Sequence, residues 1–200
     1  MREELLLRLG EQTERIIAAL WAQVEAGALD EDLFAGLAAT VIAAANGQGT
    51  AAGQAAFRAW QETATGTPAT TSATLPADDL DRLTQAVGTI LKDSTSTGMR
   101  LARLARSEPI NAAQDAFAAS MAGSAVVSGW RRHLDSDPCQ LCQWWWREGR
   151  VWRPDHPMPR HPGCTCTQEP VLRERTDNYQ TERQAVSAAR TNQRRHRHGR

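Results

Sequence analysis

Cys139-Gln140-Leu141-Cys142 and, after a loop, His161-Pro162-Gly163-Cys164-Thr165-Cys166 are the strings on which the fold of this chain turns. Cys139-x-x-Cys142 is the spacing that lets two thiolates turn inward on one metal, and His161-x-x-Cys164 repeats it with an imidazole. Cys166 and His156 are further candidate donors. Two pairs of soft nitrogen and sulfur ligands separated by a loop are how a closed structural zinc site is written in sequence. A small module with few aliphatic residues needs such a staple. Two other readings stand beside it. The cysteines can be reduced or disulfide-bonded packing residues, because the second cysteine pair is Cys-x-Cys. A redox or nucleophilic role is the third, although no strand–helix context is expected around Cys139-x-x-Cys142. A site closed by four protein ligands leaves no position for a reacting water.

Working outward, residues 129–170 hold all four cysteines, five of the seven tryptophans and six of the nine prolines. That density marks 129–172 as a loop-rich Cys/His module, with short strands expected near Arg150–Arg153 and Cys166–Val171. Upstream the periodicity is helical. Leu6, Leu9, Ile16, Ile17, Leu20 and Val24 recur at three- and four-residue steps, which predicts a helix over roughly 3–26 ended by Gly27. Asp30-Glu31-Asp32 places acids in the first turn of a second helix running to about Ala45. Asn46-Gly47-Gln48-Gly49 reads as a break, and 50–63 as a third helix with Phe57 and Trp60 on one face. Thr, Ala, Gly, Ser and Pro fill 64–77, a linker composition. A helix restarts near Asp78 and runs to Lys92, and Ser94–Gly98 is another break. A short helix over 99–106 follows. Ser107-Glu108-Pro109 then reads as cap and first turn of a helix reaching 127. The predicted fold is mainly α: helical regions at 1–63 and 78–128, the metal-stapled loop and β-hairpin module at 129–172, and a disordered polar, basic tail at 173–200.

The chain has 200 residues, 41% hydrophobic and 23% charged, which excludes collagen-like and wholly disordered classes. No apolar run of about 18 residues predicts a membrane span. The acidic start Met1-Arg2-Glu3-Glu4 does not read as a signal peptide, so a reducing cytoplasm is expected. Net charge is zero, but residues 1–100 carry 7 basic against 13 acidic side chains and residues 101–200 carry 16 against 10. One half is therefore acidic and the other basic.

The run Gly129-Trp130-Arg131-Arg132, Cys139-x-x-Cys142, Gly149-x-Val151-Trp152, His161-Pro162-x-Cys164-x-Cys166 and Pro170 resembles the C-terminal signature of MuF-like minor capsid proteins, the head-morphogenesis proteins of tailed bacteriophages. It covers about 42 residues, one fifth of the chain. The resemblance implies a virion protein of the head interior, present in the host cytoplasm during assembly and associated with the portal and the major capsid or scaffold protein. It implies a part in head morphogenesis and in DNA packaging or ejection. Cys139, Cys142, His161, Cys164 and Cys166 are the signature positions, without a choice of which four bind metal. Some relatives with a similar tail are described as capsid maturation proteases, so a protease is the alternative. His133, with Ser124, Ser128 and Asp135 near it, is the place such chemistry would have to arise. No Gly-x-Ser-x-Gly and no His-Glu-x-x-His occurs. A zinc-ribbon-like nucleic-acid-binding module is a third possibility.

Two further stretches stand outside the signature positions. Trp144-Trp145-Trp146 cannot all share one face of a helix or strand, so at least one should be exposed or covered by a partner. Packing as a core staple of the module is the first reading for one or two of them. With Arg147, Arg150 and Arg153 beside them they next have the composition of an interface centre, and base stacking on single strands is a third reading. Arg194, Arg195, Arg197 and Arg200 close the chain in a run whose natural target is nucleic-acid phosphate.

Overall fold

Regular spacing of apolar residues produces the first helix, α1 (Arg2–Glu25), which buries Leu6, Thr13 and Ile17. Three further helices complete a bundle: α2 (Glu31–Thr65), α3 (Asp79–Lys92) and α4 (Thr97–Ala122). The computed structural model describes residues 2–69, 71, 79–93, 95–162 and 164–173, the side chains of 2 and 3 excepted. Asp30 caps α2, its carboxylate accepting from the amides of Asp32 at 2.9 Å and Leu33 at 3.3 Å. Ile17 of α1, Phe34, Ala38 and Ile42 of α2, Leu83 and Val87 of α3, and Leu101 and Ala105 of α4 form one core. The helical segments on either side of 64–77 thus share a single interior. No helix of the described residues is long and apolar enough to cross a membrane.

Two expected breaks are absent. Asn46–Gly49 lies inside the unbroken helix α2. The glycines are there for proximity: a Cβ on Gly49 would sit 2.3 Å from the Pro109 carbonyl oxygen, and one on Gly53 would sit 2.0 Å from that of Ala113. Each glycine costs a helix about 1 kcal/mol relative to alanine. The close crossing of α2 and α4 offsets that cost. Ser107-Glu108-Pro109 does not start a helix either. Pro109 is buried inside α4, where packing against α2 outweighs the missing amide bond.

The expected linker begins as helix. Residues Ala64 and Thr65 end α2, Gly66 caps it in the left-handed region (φ 69°), and Gln61 Nε2 donates to the Pro68 carbonyl at 3.2 Å. Most of the remainder, at 70 and 72–78, lies outside the described residues, as does the basic tail beyond Arg173 with Arg194, Arg195, Arg197 and Arg200.

After α4 ends at Ala122, five residues short of the expected limit, Val127–His133 forms strand β1. It pairs antiparallel with β2 (Thr167–Leu172), Arg131 opposite Glu169 and Trp130 opposite Pro170. The strand expected at Arg150–Arg153 is only a single bridge, in which Trp130 and Trp152 exchange backbone bonds of 2.9 and 2.7 Å. Because Trp152 uses both backbone groups of Trp130, Pro170 across the ladder is not asked for a donor. His133 sits exposed at the end of β1. A second core of Phe57, Phe117, Met121, Val127 and Trp130 fuses this hairpin to the bundle.

Candidate metal centre

Between the two strands the chain forms α5 (Gln140–Trp146), with Cys139 at its N-cap. One helical turn carries Cys142 back to the side of Cys139. The second pair closes through its own turn, the Cys164 amide donating to the His161 carbonyl at 3.0 Å. Across the gap, His161 Nε2 lies 3.2 Å from Cys139 Sγ and 3.2 Å from Cys142 Sγ. Cys142 Sγ lies 3.5 Å from Cys164 Sγ. No disulfide joins the four cysteines.

These side chains form two overlapping donor groups, Cys139–Cys142–His161 and Cys142–Cys164–Cys166, each within 4.8 Å and sharing Cys142. They can hold a metal ion. Tetrahedral bond lengths of zinc to sulfur and nitrogen imply ligand–ligand separations of about 3.6–3.8 Å. The three spacings above lie just under that, whereas Cys164 stands outside the Cys139–Cys142–His161 group and has to move toward it to become a fourth ligand. The imidazole is oriented for this role. His161 Nδ1 is 3.1 Å from the Pro162 carbonyl oxygen, which can only accept. A hydrogen bond from Nδ1 to that oxygen would select the tautomer whose Nε2 is free to bind a metal.

Cys166 is held differently. Its thiol donates to Asp135 Oδ2 at 3.4 Å and its sulfur accepts from the Asp135 amide at 3.5 Å. The hydrogen bond with Cys164, and then burial, push the Cys166 thiol well above its ordinary range. The same hydrogen bond lowers Cys164. Burial pushes the Cys142 thiol up to about 12 in the metal-free protein.

The cluster is moored to the bundle by α4. Gln114, buried, donates through Nε2 to the carbonyls of Cys164 at 3.2 Å and Cys166 at 2.9 Å. Arg160 donates to Gln114 Oε1 at 3.3 Å and to the Asn111 carbonyl at 3.2 Å, and pairs with Asp115. Gly129 admits the Trp152 strand, since a Cβ there would lie 2.3 Å from the Trp152 carbonyl oxygen.

Not all expected site residues meet. His156 stacks on Trp152, ring centroids 4.4 Å apart, and stands outside both donor groups. The tryptophan triplet divides: Trp144 and Trp146 are 64% and 40% exposed, whereas Trp145 turns inward between His161 and Arg132. Trp145 is half-buried, with the other two rings left on the surface. Around His133, the Ser124 hydroxyl bonds Gln61, the Ser128 hydroxyl bonds the Val171 and Leu172 carbonyls, and Asp135 accepts from Thr165. Ser124 and Ser128 thus direct their hydroxyls to partners other than His133.

Gln114 and Arg160 were missed from sequence, and Asp135 was placed with His133 and not with Cys166, because each acts across dozens of residues and carries no local pattern. Arg132 had a signal. A strand read over 127–133 would have put it on the face of Trp130, two residues away. Fold and site together define a mainly helical protein carrying a Cys/His cluster able to hold a metal ion. Comparison with family models, curated proteins and solved structures gives no match.

Proposed function

We propose that this chain is a structural protein of phage head assembly, its C-terminal module closed by zinc on Cys139, Cys142, His161 and Cys164. The observation that carries the metal reading is His161 Nε2 standing 3.2 Å from two free cysteine sulfurs. Soft sulfur and imidazole donors in a four-ligand set favour zinc over calcium or magnesium. Such a centre stabilises and does not catalyse, since no ligand position is left for water.

The assembly role rests on the resemblance of residues 129–170 to MuF-like minor capsid proteins. Trp144 and Trp146, exposed beside Arg147 and Arg150, supply an aromatic and cationic surface suited to an acidic face of the portal or of a capsid or scaffold protein. Packaged DNA is the proposed target of Arg194, Arg195, Arg197 and Arg200. The protein would act inside the virion head.

Elemental analysis of reduced, freshly purified protein tests the metal half, with one zinc per chain expected. Co-expression with the portal protein of the same phage tests the other half. Co-purification lost in the Trp144→Ala/Trp146→Ala double variant is the supporting result. Zinc without portal binding would leave a metal module with a different partner, and absence of both would end the reading.

A further inference from the structure

We infer that Arg132 is the built-in counter-cation of a metal centre with three thiolates, an inference that rests on the zinc reading above. Its side chain is only 2% exposed, and it makes no ion pair with a carboxylate among the described residues. One guanidinium nitrogen donates to the Pro159 carbonyl, Nη1 lies 3.9 Å from Cys142 Sγ, and Nε is buried without a partner. The guanidinium also stands over the Trp145 ring, 5.4 Å from its centroid. Arginine does not shed its proton in proteins, so a full positive charge is enclosed here. An enclosed charge without an opposite charge is strongly unfavourable.

The anion that answers it is the metal cluster. Zinc with three thiolates and one neutral imidazole carries a net charge of −1. Cys166 is not needed for that count, because its thiol is bonded to Asp135. A two-thiolate, two-histidine centre would be neutral and would leave Arg132 uncompensated. Arg132 also reaches both halves of the site: it touches Cys142 of the first pair and holds Pro159, two residues before His161. The neighbouring Arg131 has another task. It is exposed and pairs with Glu169 at 2.8 Å, so the twin arginines of the motif divide into one inside and one outside.

The test titrates zinc into the reduced full-length chain against a competing chromophoric chelator. Arg132→Gln should bind zinc at least tenfold more weakly than the parent, the range seen when partners of metal ligands are removed. Arg132→Lys, which keeps charge but loses the fork, should fall between them, and Arg131→Gln should match the parent. Without metal the order should reverse, with Arg132→Gln unfolding no more easily than the parent. Equal zinc affinity in Arg132→Gln, or equal losses in the Lys and Gln variants, would overturn the inference while leaving zinc in place. A parent that binds no zinc would overturn the metal reading and this one together. Should Arg132→Gln fail to fold, cobalt(II) in the parent decides: thiolate charge-transfer absorption should count three sulfurs, and two or four would refute the charge balance.

Discussion

The helical bundle and the Cys/His module are held by opposite means. Between α1 and α4 the interior is carbon: Ile17, Phe34, Ile42, Leu83, Val87 and Leu101, all essentially out of water. Such side chains stabilise by leaving water, at about 1.5–3 kcal/mol each, and need no particular partner. Around residues 132–166 the interior is sulfur, guanidinium and carbonyl, with Leu134 the partly buried hydrophobe packed on the cysteines. Groups of that kind gain nothing from burial until each finds its complement. The bundle can be stable through area alone, whereas the module depends on specific pairings. The comparison teaches where each region should fail.

Cys142→Ser should have the largest effect, because Cys142 belongs to both donor groups. Metal binding contributes on the order of 10 kcal/mol to the folding of structural zinc peptides, and most of that should disappear here. Zinc content and near-ultraviolet circular dichroism of the tryptophans should collapse while far-ultraviolet helicity largely persists. Cys164→Ala should likewise release zinc, and Cys166→Ala, two residues on, should retain it.

In the bundle, Gly53→Leu attacks packing instead of charge. The new side chain would be driven against the Ala113 carbonyl, and overpacking of this kind costs about 3 kcal/mol. The denaturant midpoint should fall with zinc stoichiometry unchanged. A variant as stable as the parent would show that α2 and α4 need not approach so closely.

Gln114→Ala cuts the mooring between the two regions. It leaves the Cys164 and Cys166 carbonyls without their side-chain donor, at about 1–2 kcal/mol. Unfolding followed separately by helicity and by tryptophan fluorescence should change from one coincident transition to two.

The smallest effect belongs to the exposed pair of Arg131 and Glu169. The hydrogen bond from Arg131, opposed by slight burial, holds the Glu169 carboxyl below its ordinary value. A depressed carboxylate stabilises the fold above the ordinary glutamate range, and that contribution is lost as pH falls through the folded-state value. Solvent screening keeps it slight. Arg131→Ala should flatten this part of the urea midpoint's acid dependence without altering zinc affinity.

Much of this was legible without coordinates. The three- and four-residue spacing of α1, the acidic start of α2, the start of α3 and the strand after Cys166 all follow from periodicity and helix-end preferences, which act within a few residues. So does the meeting of Cys139 with Cys142, because a two-residue gap on one helical turn returns that pair to one side of the chain. Other features needed the tertiary structure. Glycine and proline at 47, 49 and 109 locally argue for breaks, but the α2–α4 crossing turns Gly49 into a contact point and buries Pro109 within a helix. The separation of Trp145 from Trp144 and Trp146, the retreat of Cys166 to Asp135 and the enclosure of Arg132 likewise depend on neighbours distant in sequence. Local sequence determined which backbone shapes and donor pairs were available, because propensity and spacing are short-range. Only the fold decided which charges and carbonyls were sealed from water, because burial belongs to the packed whole.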